Sequence, residues 1–222
     1  MGDPFCQVKP SEKMLIQDRS RYLAHRISKG EIDDLDALAS LADYAVSLTP
    51  DCAECVIDNL GAVLVGHSNG DDIDNYAWEE LMVQSGNHTR DLWFLNSIPF
   101  SQNGYDNIFQ DPTGPGNQAY HFWFYVMVGY QSGSTIGNIG VDAHEDFLSR
   151  GAAGRSEQDR YLGYEGVNLG VSIKAGTVDI NNLGNYIRER LSPGSATALY
   201  YQEKYCIYLQ QLNNPYFHPP HP

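Results

Sequence analysis

Basic residues are scarce in this chain, and one long segment has none. Residues 30–88 contain no Lys or Arg but thirteen acidic residues, and the whole chain carries a formal net charge of −14 at pH 7. Such a charge repels the phosphates of nucleic acid and the surface of anionic membranes, so we expect neither as a partner. A basic protein, a cation or an uncharged ligand remains compatible with it.

Long apolar runs are missing as well. The most apolar stretch, residues 119–130, is too short to cross a bilayer and contains His121. The first ten residues, MGDPFCQVKP, lack the apolar core of a secretory signal peptide. We therefore expect no membrane partner, and cytoplasmic residence is the default.

The hydrophobic pattern is that of helices. Apolar residues recur at spacings of three and four through most of the chain, which predicts an all-α globular domain of about eight helices. The clearest segments are residues 11–29, 33–48, 50–65, 72–84, 117–131, 138–149, 156–174 and 179–191, and residues 195–212 can form a last helix. Thr49 followed by Pro50 favours an N-cap and a first helical residue for the third segment.

The second half of the chain has a charge-free centre. Residues 112–141 contain no Asp, Glu, Lys or Arg, and the stretch near 117–131 is apolar on all sides. This pattern predicts a central helix that is buried all round.

The next helix carries a row of glycines. Ser156 and Asp159 form a capping box at its start, and Gly163, Gly166 and Gly170 recur three and four residues apart. Because a smooth face lets another helix approach closely, we expect it to pack against the helix that holds Phe122, Trp123 and Phe124.

These patterns divide the chain into four regions. Residues 1–100 form an acidic helical layer, 101–116 a Gly/Pro-rich loop, 117–192 a glycine-tightened helical core, and 193–222 a final helix with a loose tail. Both halves can share one core, so we expect one domain overall. The loop is the best candidate for a soft boundary or a functional lid.

The stretch GHSNG, residues 66–70, matches the G-x-S-x-G nucleophile elbow of serine hydrolases. An elbow needs a strand before Ser68, whereas the preceding residues continue an amphipathic helix that Gly66 closes. The upstream sequence is helical and shows no βαβ alternation. We therefore disfavour a serine hydrolase that acts through Ser68.

Cys52 and Cys55 have the C-x-x-C spacing, but no second metal-binding pair accompanies them. A zinc site requires Cys6, Cys206 or a distant histidine, and a thioredoxin-like redox site requires an α/β pattern that is absent here. Two small core residues on one helix face are the simpler interpretation. Whether the two cysteines are paired, metal-bound or free stays open.

One group of residues in the second half can carry chemistry. His121 lies in the charge-free helix, with Gln118 on the same face, and the next helix contains His144, Glu145 and Asp146. Two histidines with carboxylates on packed helices can bind a divalent metal and activate water. We take His121, His144 and Glu145 as candidate catalytic residues, and His121, His144 and Asp146 as candidate metal ligands.

The alternative is structural. Gln118 or a backbone carbonyl can satisfy a buried His121, while His144, Glu145 and Asp146 form a solvated helix face. Gln118 is then a candidate for the lining of a binding pocket. No motif indicates a cofactor, and a divalent metal is the possibility left open.

The spacing of these residues resembles the HD-domain phosphohydrolases, all-helical metalloenzymes in which a histidine is followed by a His-Asp pair and a distant Asp. In this chain the pair is His144-Glu145, followed by Asp146. The resemblance implies an all-α fold and a metal-dependent hydrolase.

The acidic block allows two interpretations. Basic residues of the first 29 positions can pack beside it and partly neutralise it, or it can present a docking surface for a basic protein through Asp71, Asp72 and Asp74. The leading hypothesis from sequence is a non-catalytic binding or protein-interaction module. The alternative is a metal-dependent hydrolase that uses His121, His144 and nearby carboxylates.

Overall fold

The computed structural model describes residues 9–50, 52–66, 103–111, 118–148 and 156–212. These residues form helices and connecting turns, with no strand among them, so the prediction of an all-α protein is confirmed. The count of about eight helices is slightly high for this part of the chain. Its α-helices are α1 (Pro10–Ser28), α2 (Asp34–Leu48), α3 (Ala53–Leu64), α4 (Gln118–Ala143), α5 (Glu157–Lys174), α6 (Leu183–Leu191) and α7 (Ala196–Leu212).

The first three helices form the acidic layer. On α1, Ile16 and Leu23 are fully buried, which confirms the apolar face read from the sequence. Asp33 caps α2 by accepting a hydrogen bond from the N–H of Asp36 at 2.7 Å. None of these helices, nor any other in the described ranges, is long and apolar enough to cross a membrane.

The start of α3 corrects the sequence prediction. Thr49 is not its N-cap, because the Thr49 hydroxyl instead donates to the carbonyl of Ala45 and closes α2. Cys52 takes the capping position, and the helix begins at Ala53, three residues later than expected. Pro50 therefore lies in the turn between the two helices.

The described part of the expected loop, residues 103–111, packs into the protein. Tyr105, Ile108 and Phe109 are buried there, around a short 3-10 turn. Asp106 anchors the segment, since its backbone N–H donates to the carbonyl of Leu191 and its carboxylate accepts hydrogen bonds from the N–H of Gly194 and the amide of Gln202. Asn103 of the same segment donates its backbone N–H to the carboxylate of Asp34 in α2, so the segment links the acidic layer to α6 and α7.

Helix α4 is a hairpin rather than one rod. Gly133 has φ of 81° and ψ of 179°, a backbone conformation that interrupts the helix and that residues other than glycine rarely adopt. The two arms, 118–132 and 134–143, run back along each other, and the hydroxyl of Tyr125 donates to the carbonyl of Gly140 across them. The two helices expected near 117–131 and 138–149 are thus present as the arms of one hairpin.

Helix α5 packs against this hairpin through its glycines, as predicted. A Cβ atom added to Gly170 would lie 2.0 Å from the carbonyl oxygen of Val126, and one on Gly166 would lie 2.5 Å from that of Phe122. On the hairpin, Gly129 approaches the backbone of Val167 equally closely. Since backbone meets backbone on both sides, the relative position of α4 and α5 is tightly fixed.

Candidate metal centre

The hairpin brings His121 and His144 together. In a straight helix, residues 23 positions apart are separated by roughly 35 Å. Here the chain reverses at Gly133, and Tyr125 of the first arm contacts Gly140 of the second. His121 lies four residues before Tyr125, and His144 lies four residues after Gly140, just past the end of the second arm. Their ring centroids are 5.8 Å apart.

Glu145 completes a three-residue cluster. A π-helical turn, His144–Leu148, follows α4 and holds both His144 and Glu145. One potential ligand atom from each of His121, His144 and Glu145 lies within 4.8 Å of the other two. Ligand atoms around a tetrahedral ion lie about 3.4 Å apart, so side-chain movements of about 1 Å bring the three onto one ion.

Burial and a hydrogen bond fix the chemical form of His121. The residue is 6% exposed, and burial lowers the pKa of its imidazole to about 4, so the ring is neutral at physiological pH. Its Nε2 lies 2.8 Å from the backbone carbonyl of Asp159, which can only accept, so Nε2 carries the proton. The lone pair is therefore on Nδ1, in the arrangement usual for a metal-binding histidine whose other nitrogen is held by the protein.

Glu145 is a buried carboxylate with an unusual proton affinity. It is 2% exposed, and this burial raises its pKa to about 8, although a hydrogen bond from the N–H of Ser156 at 3.0 Å opposes the rise. Oε2 accepts that bond, whereas Oε1 lies 3.9 Å from Nε2 of His144. The side chain of His144 is 38% exposed, so the cluster reaches solvent on that side.

Two further acids surround the cluster. Burial first, and the charge of Asp111 second, raise the pKa of Asp159 to about 7, and Asp159 and Asp111 both act to raise that of Glu145. Oδ1 of Asp159 is buried without a hydrogen-bond partner. The region thus gathers carboxyl groups whose ionised forms burial disfavours, a condition that a bound cation would relieve.

Asp146 lies outside the three-residue cluster. It accepts a hydrogen bond from Arg160 of α5 at 2.6 Å, and the same guanidinium binds Asp142 one turn earlier. Arg160 thereby draws residues 142 and 146 to its own side, and Glu145 takes the position beside the histidines that the sequence analysis gave to Asp146. Asp111 is the last acid before the charge-free stretch, and no local sequence pattern marks it as part of a site.

Gln118 and Glu165 have other surroundings. Gln118 is buried, but the carbonyl of Asp159 rather than Gln118 satisfies His121, and Oε1 of Gln118 has no hydrogen-bond partner. Glu165 is bound by Arg190 at 2.6 Å and by the hydroxyl of Tyr201 at 2.9 Å. Its charge is therefore compensated within the fold.

Several described acids of the N-terminal layer form ion pairs with basic side chains of the protein itself. Asp58 forms a buried ion pair with Lys13 at 3.3 Å, and Arg188 of α6 pairs with Asp36 and Asp43. Neutralisation by the basic first helix is thus seen for Lys13. Asp71, Asp72 and Asp74 lie outside the described residues, so the docking surface stays a prediction.

Ser68 also lies outside the described residues, but the geometry before it is visible. Ala62, Val63 and Leu64 are the last residues of α3, where a nucleophile elbow needs a strand. Gly66 has φ of 85°, as expected for a glycine that follows a helix.

Comparison of the chain with protein-family models, with curated proteins and with solved structures found no match in any of the three. The resemblance to the HD-domain phosphohydrolases therefore rests on His121, His144 and Glu145 alone.

Proposed function

We propose that this protein is a metal-dependent hydrolase in which His121, His144 and Glu145 hold one divalent transition-metal ion. The supporting observation is the convergence of two imidazoles and one carboxylate from two arms of a hairpin, with ligand atoms within 4.8 Å of one another. His121 is 23 positions before His144 in the sequence, and the two meet because the chain reverses at Gly133.

The donor set argues for a transition metal. Imidazole nitrogen suits Zn²⁺, Fe²⁺, Co²⁺ and Ni²⁺, whereas Mg²⁺ and Ca²⁺ prefer an all-oxygen shell. Two histidines and one glutamate are also a combination found at catalytic zinc sites, where three protein ligands leave a fourth position for water. The partial exposure of His144 gives that position a route to solvent.

The electrostatics support a cation at the same place. Without one, burial holds protons on Glu145 and Asp159 into the range of about pH 7 to 8. A dication reverses this balance, because it favours the ionised carboxylate and releases the proton. The raised pKa values of the two carboxyl groups and the donor atoms therefore both favour a divalent cation as the ligand.

The chemistry of the proposed enzyme follows from these groups. A transition metal held there would supply a water molecule of lowered pKa and would polarise an ester or phosphoester oxygen. His121, His144 and Glu145 would hold the ion, and Asp159, whose Oδ1 is buried without a hydrogen-bond partner, is the proposed acceptor of the proton of the attacking water. Its pKa of about 7 lies where general-base catalysis at neutral pH is effective.

A thermal melt with metals tests the binding step. The metal-free protein is heated with Zn²⁺, Mn²⁺, Fe²⁺, Co²⁺ or Ni²⁺, with a chelator as the reference. A ligand that binds only the folded state raises its stability by about 2.7 kcal/mol at a hundredfold excess over Kd, so we expect a rise in Tm of several degrees with at least one metal.

The matched variants are His144→Ala, which removes a proposed ligand, and His25→Ala, which removes an exposed histidine of α1. We expect the first to abolish the shift and the second to preserve it. The absence of a shift with every metal, or an equal loss in both variants, contradicts the proposed site.

Hydrolysis is then measured with the metal that gives the largest shift. We expect the loaded protein to cleave p-nitrophenyl phosphate, bis-p-nitrophenyl phosphate or p-nitrophenyl acetate above the rate of the same metal in buffer. Asp159→Asn is expected to keep metal binding while lowering the rate by about 10²-fold or more, as loss of a general base does. Tight metal binding without hydrolysis of any ester reduces the proposal to a metal-binding role.

A further inference from the structure

A disulfide joins Cys52 and Cys55 at the start of α3. Cys52 is the N-cap of this 12-residue helix, and its sulfur accepts a hydrogen bond from the backbone N–H of Cys55 at 3.2 Å. The pair is separate from the His121 cluster and plays no part in the proposed hydrolysis. It also excludes zinc coordination by these two sulfurs in the bonded state.

A purely structural role explains this disulfide poorly. A cross-link stabilises a fold mainly by restricting the unfolded chain, and the effect is smallest for short loops. Cys52 and Cys55 are three residues apart, and the helix that follows already holds them close. Ten of the twelve residues of α3 are buried, so packing rather than the cross-link stabilises its position.

The position of the pair suits a sulfur that alternates between bonded and reduced states. The backbone N–H groups and the positive end of the helix dipole at the N-terminus of α3 stabilise negative charge on Cys52 once the bond opens. The two residues also differ in exposure, since Cys52 is 9% exposed and Cys55 2%. Pro50 and Glu54 beside them are exposed, so the pair lies just below the surface.

We propose that Cys52 and Cys55 are a redox-active pair that exchanges electrons with an external dithiol, Cys52 being the sulfur that is attacked. This is a second activity, carried by the C-x-x-C spacing, the bonded state and the capping position together. It requires no metal.

The exchange balances as two thiol–disulfide steps. A thiolate of the external dithiol attacks Sγ of Cys52, a new S–S bond forms, and the Cys52–Cys55 bond breaks with its electron pair on Sγ of Cys55, which takes up a proton. The second thiolate of the dithiol then attacks its own first sulfur, the bond to Cys52 breaks with its electron pair on Sγ of Cys52, and Cys52 takes up the second proton. The external compound leaves as a cyclic disulfide, and two electrons and two protons have passed to the protein.

The first test measures reduction of the folded protein by dithiothreitol. The full chain carries Cys6→Ser and Cys206→Ser to remove background thiols, and new thiols are counted by alkylation and mass spectrometry. We expect two thiols to appear at a rate proportional to the dithiothreitol concentration, with the far-UV circular dichroism unchanged. Reduction that needs denaturant, or a rate independent of dithiothreitol because unfolding limits it, overturns the proposal.

A pair of single-cysteine variants tests the assigned direction. In the same background, Cys55→Ser leaves Cys52 and Cys52→Ser leaves Cys55. We expect Cys52 to react with the aromatic disulfide 5,5′-dithiobis(2-nitrobenzoate) at least tenfold faster than Cys55. Equal rates or the opposite order overturn the assignment of Cys52 as the attacked sulfur, and the dithiothreitol assay on the intact pair decides the redox activity even if one variant fails to fold.

Discussion

Two groups of buried carboxylates in this protein differ in what surrounds them. Glu165 and Asp58 each face a basic side chain, Arg190 at 2.6 Å and Lys13 at 3.3 Å. Glu145 lies 3.9 Å from the partly exposed His144, and the charges of Asp159 and Asp111 act to raise its pKa, although that of Arg160 acts to lower it. The first group is paired with basic side chains of the protein, whereas burial raises the pKa of Glu145 well above its usual range.

This difference distinguishes buried carboxylates that stabilise the fold through an ion pair from a buried carboxylate that is a candidate for function. A buried carboxylate costs free energy unless it is paired, and a fold with no need for the charge can replace it by an apolar residue. Glu165 is part of a complete network with Arg190 and Tyr201. Burial instead raises the pKa of Glu145 to about 8, and a strongly shifted pKa is typical of functional groups.

Removing the cation of a paired carboxylate is expected to have the largest effect on stability. Arg190→Met leaves Glu165, 3% exposed as a side chain, without its partner, and we expect a loss of about 3 kcal/mol in the free energy of unfolding by urea denaturation. Arg188→Met on the same helix is the control. Arg188 pairs with half-exposed Asp36 and Asp43, so we expect a loss of about 1 kcal/mol or less.

Equal losses in the two arginine variants would show that burial of the carboxylate does not distinguish the pairs. The contrast with Glu145 would then lose its basis.

Neutralising Glu145 is expected to raise the free energy of unfolding rather than lower it. Glu145→Gln keeps an oxygen that can accept the N–H of Ser156 but removes a charge that burial opposes. At pH 8 we expect the metal-free variant to be more stable than the wild type by about 1–3 kcal/mol, since one pKa unit corresponds to about 1.4 kcal/mol and relaxation of the site reduces the full value.

Glu165→Gln is the control for this substitution, and we expect it to be destabilising because it leaves Arg190 without its partner. The two variants are compared by urea denaturation, and Glu145→Gln is also expected to lose the metal-induced rise in Tm. Destabilisation of the metal-free protein by Glu145→Gln contradicts the assignment of an uncompensated charge.

The pH dependence of stability follows from the same groups. Folding raises the pKa of Glu145 from 4.5 to about 8 and that of Asp159 from 3.8 to about 7. Groups with raised pKa contribute stability below their unfolded pKa, and this contribution is lost as the pH rises through the folded value. We therefore expect these two groups to lower the stability of the metal-free protein progressively as the pH rises from about 4 to about 8.

His121 acts in the opposite direction in the lower part of this range. Its pKa falls from 6.5 to about 4 on folding, so its contribution is lost as the pH drops through that interval. Tm values measured between pH 4 and pH 9, for the wild type and for Glu145→Gln, separate the two effects. The difference between the two proteins should grow toward pH 8, and a constant difference would show that Glu145 does not titrate there.

Much of this fold follows from the sequence, because its signals are local. Ser156 was expected to cap α5 and does so through the N–H of Asp159, and the glycine face of α5 packs on the helix that was named as its partner. Caps and helical periodicity depend on neighbours within one or two turns, so a single sequence contains them.

The candidate site follows only in part, because it depends on tertiary geometry. The sequence placed His121 and His144 on different helices, but the reversal at Gly133 decides that they meet. It also favoured Asp146 over Glu145 as a ligand, since nothing in the local pattern indicates that Arg160 of α5 holds residues 142 and 146. The choice among adjacent acids was decided by a residue that lies fourteen positions further along the chain.

The smallest effect is expected for an exposed pair, which calibrates the comparison. Arg21 and Asp18 form an ion pair at 3.4 Å on α1, with side chains 59% and 70% exposed. Water screens both charges whether or not they touch, so Arg21→Ala should change the free energy of unfolding by less than about 0.5 kcal/mol in urea denaturation at 0.15 M salt. A loss as large as that of Arg190→Met would mean that charge pairs stabilise this protein regardless of burial. The raised pKa of Glu145 would then not support a cation-binding site at this position.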